Sequence, residues 1–295
     1  MTKDYLNEDS ELRLIEVPNP FTEPGMLRLV EPPGGVSAEQ LERLRAGTLG
    51  QPFLIENGTM RHLFFDTSNT QSSMRLDDPD VLVNAYTRKM MAFLLFTPEP
   101  RQILMIGLGG GSLAKFCYRR LPQARISVIE INADVIALRE LFAIPADDER
   151  FEVIHEDGAA FLAKAGLTPD VILIDAFDEL GIAPSLASSD FYRRASESLT
   201  ADGVLVMNLC GDVNRYPIHV EYLRAAFNGA VLPLPVAADH NLLLFAFKRA
   251  QLAQLPDFLQ SRAAALEQGL GLEFLRFLER LRAGPTLGTS PQLSP

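Results

Sequence analysis

The rhythm of apolar and polar positions changes near residue 100. Upstream, short apolar pieces at Leu12–Val17 and Met26–Val30 are broken by Pro18, Pro20, Pro24 and Gly25 and closed by Pro32-Pro33-Gly34-Gly35, which predicts a small β element. Ser37–Ala46 carries Leu41 and Leu44 at helical spacing behind Ser37, a residue able to cap a helix start. Pro52–Ile55 and Met60–Phe65 flank Glu56-Asn57-Gly58, and Asn-Gly between apolar runs predicts a hairpin. After Gln71-Ser72-Ser73-Met74, the stretch from Pro79 to Phe96 offers Val81, Leu82, Ala85, Met90 and Phe93 for packing. It predicts one helix, ended by Thr97-Pro98-Glu99-Pro100.

Downstream, strand-like and helical patterns alternate. Strands are expected at Ile103–Ile106, Ile126–Ile131, Phe151–His155, Val171–Ile174 and Val204–Asn208. Helices are expected from Ser112, over Ala133–Phe142, Ala159–Ala165, Asp190–Leu199 and near Ile218–Phe227. Such βαβα alternation predicts an α/β fold, a Rossmann-like parallel sheet with helices on both faces. Ala230–Leu234 and Leu242–Phe247 then form an antiparallel edge, and Gln251–Leu281 is helical with a break at Gly269-Leu270-Gly271. The expected organisation is a β-rich domain over 1–75, a nucleoside-binding domain over 76–248, a helical extension over 249–283 and a disordered tail over 284–295. The extension could meet another copy of the chain or cover its own sheet.

Composition narrows the class. Hydrophobic content of 47% with 22% charged residues is globular, and no run of about 18 uncharged apolar residues exists to cross a bilayer. The polar, acidic start from Met1 to Ser10 does not resemble a secretory signal, so a cytoplasmic protein is expected. Cys117 and Cys210 stand at no metal spacing, and His62, His155, His219 and His240 form no recognisable ligand set, so neither disulfide nor metal is expected. The net charge of −11 argues against nucleic acid and suits a cationic substrate, although acidity also serves solubility alone.

The candidate chemistry lies where strands end, because ligands of open α/β sheets sit at the strands' carboxyl ends. First comes Gly107-Leu108-Gly109-Gly110-Gly111-Ser112, a loop whose glycines let the backbone approach a nucleotide-like ligand at a helix start. Glu130, 23 positions after Gly107, could accept from two vicinal ribose hydroxyls or merely cap the next helix. Asp157, before Gly158, suits an adenine amino group and a helix N-cap equally. Asp175 and Asp178 stand three apart at the mouth of the sheet and repel unless a cation or proton joins them.

The Gly loop, Glu130, Asp157-Gly158 and Asp175-x-x-Asp178, in this order and spacing, resemble the polyamine aminopropyltransferases, the spermidine synthase family. The resemblance extends from about His62 to Phe247. Gln71 and Tyr86 echo the Gln and Tyr that this family places before its first core strand, while Pro184, Leu186, Phe191-Tyr192 and Ala201-Asp202-Gly203-Val204 echo its later helix and strand. It implies an N-terminal β domain with a methyltransferase-type Rossmann domain, and an oligomer, a homodimer or homotetramer. It also implies decarboxylated S-adenosylmethionine as co-substrate, held at its ribose by Glu130 and its adenine by Asp157. Asp175 would deprotonate the attacking amine, and Asp178 would hold a cationic diamine beside Tyr86.

Several positions depart from the family's pattern. Gly110 stands where the family's loop has an Asp that contacts the transferred amine. Tyr86-Thr87 replaces Tyr-His or Tyr-Gln, Asp175-Ala176-Phe177-Asp178-Glu179 replaces Asp-Ser/Thr-x-Asp-Pro, and Asp239-His240-Asn241-Leu242 replaces an aromatic wall. The residues therefore leave open an S-adenosylmethionine methyltransferase on the same scaffold and an inactive nucleoside-binding homologue. A nicotinamide dehydrogenase would give Asp157-Gly158 and the paired aspartates no role.

Overall fold

The computed structural model describes residues 13–19, 21, 25–31, 35–46, 49–67, 70–164, 166–178, 181–238 and 241–284, with the backbone alone at 177, 178, 181, 182 and 251. The expected tail and Asp239-His240 lie outside the described residues, apart from Gly284.

Strands β1 (Leu14–Pro18), β2 (Met26–Val30), β3 (Phe53–Asn57), β4 (Met60–Phe64) and β5 (Thr70–Arg75) form an antiparallel sheet in that order. Helix α1 (Ala38–Arg45) starts as expected, with Ser37 and Gln40 exchanging side-chain and backbone bonds in a capping box. Leu44 then packs with Val17, Leu29, Phe53, Ile55 and Phe64. β5 has no counterpart among the expected strands. Its sequence TQSSMR lacks an apolar alternation, yet Ser72, Ser73 and Met74 are buried.

The expected helix over 79–96 is shorter and differently wound. α2 covers only Ala85–Met90, and Met91–Leu95 continue as a fully buried 3-10 turn. Arg88 explains the late start, because its guanidinium donates to the carbonyls of Leu82 (3.0 Å) and Val83 (2.6 Å) and holds them outside the helix.

The second sheet contains β6 (Gln102–Ile106), β7 (Arg125–Glu130), β8 (Phe151–His155) and β9 (Val171–Ile174). A two-residue ladder follows, β10 (Phe177–Asp178) on β11 (Gly181–Ile182), and then β12 (Val204–Leu209), β13 (Val231–Val236) and β14 (Asn241–Phe247). The sheet order is β13-β14-β12-β9-β6-β7-β8, with β14 antiparallel to its neighbours β12 and β13 and the pairs from β12 to β8 parallel. This is the expected α/β fold with its antiparallel edge. α3 (Ser112–Arg120) and α4 (Ala133–Ala137) pack on one face; α5 (Gly158–Lys164), α6 (Ser189–Ser198) and α7 (Tyr216–Ala226) pack on the other.

Helices α8 (Phe258–Leu270) and α9 (Phe274–Ala283) break at left-handed Gly271. They bury Leu259, Ala263, Phe274, Phe277 and Leu278 against the core that includes Met91–Leu95, so this apolar face covers its own chain.

The helix expected over Ala133–Phe142 stops at Ala137. Residues 138–143 instead form turns, with Ala143 at φ 53°, and 144–145 continue without regular structure. Three cations hold carbonyls there: Arg61 of β4 binds Leu141 O, Lys115 of α3 binds Phe142 O at 2.7 Å, and Arg139 binds Pro145 O. These side-chain donors satisfy carbonyls of the turn segment that no helix ladder reaches.

Candidate active site

Because β6 has β7 on one side and β9 on the other, the chain reverses direction across the sheet at β6. The crevice opens between the loop after β6 and the end of β9. Gly107 turns at φ 96° and its N–H donates to Ile129 O (2.9 Å). A side chain there would collide with the Asp175 backbone carbonyl. Gly109 and Gly111 also take left-handed conformations, and Gly111 precedes α3 with Ile144 packed where its side chain would be. At Gly110 a Cβ would sit 2.6 Å from Ser72 Oγ and 2.9 Å from the Phe142 ring. The loop is therefore clamped between β5 and residues 138–145.

Glu130 is buried, and it splits its carboxylate between two backbone donors: Leu108 N on Oε2 and Asn132 N on Oε1, both at 2.8 Å. Each oxygen keeps a second lone pair, so hydroxyl donors can still be accepted. Of the two roles open for Asp157, the cap is observed, with Ala160 N donating to Oδ1 at 2.8 Å. Gly158 has a packing reason, because a Cβ would lie 2.5 Å from Ile106 Cγ2. Gln71 lies half-buried on β5 beside Ser72.

Asp175 directly follows β9. Tyr86 from α2 donates its hydroxyl to Oδ2 at 3.1 Å, and Asn208 from β12 donates Nδ2 to Oδ1 at 2.9 Å. Asn241 at the start of β14 in turn donates to Asn208 Oδ1 at 2.9 Å. Burial raises the Asp175 pKa above the ordinary carboxylate value, while the Asn208 and Tyr86 hydrogen bonds act against it. Burial, reinforced by the neighbouring Asp175 charge, pushes the Tyr86 phenol well above its ordinary value, so Tyr86 remains a donor. Thr87 turns away and donates to Asn84 O at 2.8 Å. Asp178 follows on β10, its side chain outside the described residues.

Asn208, Asn241, Ser72 and Phe142 were not among the candidates read from the sequence. Asn208 did carry a signal, as the one polar residue in the apolar run of β12, at the end of a strand. The other three are brought in by strands and turns distant in sequence. An apolar cavity of about 70 Å³ lies elsewhere, under α1 between Leu44, Phe53 and Leu141, with no carboxylate in its wall.

Strand order and the loop at the reversal point put the chain in the methyltransferase-like α/β class. Comparison with known proteins narrows it. Residues 83–222 match the spermine/spermidine synthase domain. The polyamine aminopropyltransferase of Neisseria meningitidis serogroup A is 40% identical over 245 residues, 82% of this chain and 93% of that protein. That of Chromobacterium violaceum is 40% identical over 228 residues, 77% and 87% of the two chains. The chain belongs to the polyamine aminopropyltransferase family. The fold agrees with a spermidine synthase solved in complex with the transition state analogue AdoDATO, at TM-score 0.66 and 17% identity over 97% of this chain and 96% of that one. It also agrees with human methyltransferase-like protein 13 in complex with SAH, at TM-score 0.53 and 23% identity over 71% and 97%.

Proposed function

We propose that this enzyme transfers an aminopropyl group from decarboxylated S-adenosylmethionine to a diamine or related amine, with Asp175 as the base. The observation that carries the assignment is the Asp175 carboxylate itself, held by Tyr86 and Asn208 at the crevice beside the Gly loop. The sulfonium makes its attached propyl carbon electrophilic, but an ammonium has no lone pair with which to attack. Asp175 accepts a proton from that ammonium, the freed nitrogen pair forms the new C–N bond, and the C–S pair returns to sulfur to leave a neutral thioether. The raised pKa of Asp175 makes it a better proton acceptor than an exposed carboxylate, and its two donors hold it in one orientation.

Glu130 would receive the ribose hydroxyls on its remaining lone pairs, with the Gly loop beneath. Asp157 would serve the adenine while capping α5, and Asp178 with Tyr86 would face the cationic acceptor. Acceptor charge accords with the net charge of −11.

Calorimetric titration with decarboxylated and with intact S-adenosylmethionine tests the donor; mass spectrometry after adding 1,4-diaminobutane tests transfer. The expected result is tighter binding of the decarboxylated form and an aminopropylated product, lost by roughly 10²–10⁴-fold in Asp175→Asn. Preference for the intact donor with methylated product would replace this reading with methyl transfer. Undiminished turnover in Asp175→Asn would remove Asp175 from the role of base.

A further inference from the structure

The hydrogen bonds reaching Asp175 Oδ1 run in one direction, and their far end lies at the start of β14. Asn241 Nδ2 donates to Asn208 Oδ1, and Asn208 Nδ2 donates to Asp175 Oδ1, each at 2.9 Å. Asn208 is 2% exposed and Asn241 7%, so water has little access to replace either bond. An asparagine amide presents a donor on one side and an acceptor on the other, with nearly the same shape. Rotated by half a turn, Asn208 would set its carbonyl oxygen against the Asp175 carboxylate and lose a donor bond for a repulsion. The bond from Asn241 fills the Asn208 oxygen and so favours the orientation in which the nitrogen faces Asp175.

We propose that Asn241 is a positioning residue for the base, acting through Asn208 to keep a donor on Asp175. The proposal rests on the assignment of Asp175 as base, and it adds a residue from the antiparallel edge of the sheet. Of the titratable groups near Asp175, Tyr86 from α2 donates to its other oxygen, and Cys210 stands just after β12. Asp178 is three residues on, its side chain undescribed. Asn241 donates to Asn208, which in turn donates to Asp175, so its removal reaches the carboxylate through the Asn208 amide.

Two variants separate this role from plain packing. Asn241→Leu removes the donor without adding charge. Asn241→Asp keeps the shape but offers an acceptor, which draws the Asn208 nitrogen away from Asp175. The Asp175 carboxyl is followed by its ¹³C shift against pH, assigned by its loss in Asp175→Asn, so the readout needs no turnover. The Asp175 pKa should rise by about half a unit to one unit in Asn241→Leu, and further in Asn241→Asp, in line with the loss of one hydrogen bond to a charged group. In an Asn208→Leu background, Asn241→Leu should add no further shift. The acid limb of the kcat profile should move by the same amount, with the KM for the donor unchanged. An Asp175 pKa unaltered in a folded Asn241 variant would overturn the proposal. Should Asn241→Leu not fold, Asn241→Asp decides by the same criterion. A shifted pKa in a protein whose wild type transfers no aminopropyl group would sink the functional reading and leave the relay standing.

Discussion

At the scale of single residues, the site is governed by what each buried polar group is given to bind. Asp175 receives two donors, and removing one changes its proton affinity in a definite direction. In Tyr86→Phe the carboxylate loses its phenol donor, so its pKa rises further. The acid limb of the kcat/KM profile should then move to higher pH, with turnover at neutral pH down by about tenfold, the loss of one charge-assisted bond. Lys115 poses the opposite case: it is fully buried, with one hydrogen bond to Phe142 O, and burial lowers its pKa to about 8. A lowered folded-state pKa means that the unfolded chain binds more protons between pH 8 and the ordinary lysine value. Stability should therefore rise with pH across that window, by up to about 3 kcal/mol. Denaturant unfolding at pH 7 and pH 10, compared with Lys115→Met, measures it; a pH response equal in both proteins would contradict the assignment.

At the scale of elements, the turn segment 138–145 does work that a longer helix could not. It presents Phe142 and Ile144 to Gly110 and Gly111, and three cations hold the carbonyls of Leu141, Phe142 and Pro145. The loop is packed to the point where one methyl group matters. Gly110→Ala should cost about 1–3 kcal/mol through crowding against Ser72 Oγ and Phe142. Phe142→Leu in the same chain should recover part of that loss, as read by calorimetric unfolding. A Gly110→Ala protein as stable as wild type would show that Ser72 and Phe142 move aside freely. The 3-10 turn over Met91–Leu95 follows the same logic, with its Leu95 carbonyl taken by Arg262 of α8 at 2.7 Å. Helical spacing in the sequence was legible for α1, α3 and α6. It misled over 79–96 and 133–142, where side chains from elsewhere compete for the backbone.

At the scale of the whole molecule, the N-terminal sheet is fastened to the seven-stranded sheet beside the site. Arg61 of β4 is buried, pairs with Glu56 of β3 and reaches across to Leu141 O. Arg61→Met leaves Glu56 buried without its cation, which should cost about 3–5 kcal/mol. It also frees the segment under the Gly loop, so donor affinity should fall along with stability. Thermal unfolding and donor titration of the one variant read both; a loss of stability with donor affinity intact would detach the segment from the site. α8 and α9 close the other end, covering the turn at 91–95 with Phe274 and Phe277. Among the described residues no helix is long and apolar enough to cross a membrane.

The sequence alone determined the alternating α/β architecture, the antiparallel edge, the Gly loop after β6 and the acids at the ends of β7, β8 and β9. These follow from local periodicity and from the rule that polar residues ending buried strands line the crevice. Only the tertiary structure decided which groups surround Asp175, why Gly110 carries no side chain, and where two predicted helices stop. Each of those depends on a partner far away in the chain: Asn241 for Asn208, Ser72 and Phe142 for Gly110, Arg61 and Lys115 for the 138–145 turns. Hydrogen-bond partners and packing neighbours are set by which strands and helices become adjacent in space, and no local pattern encodes that.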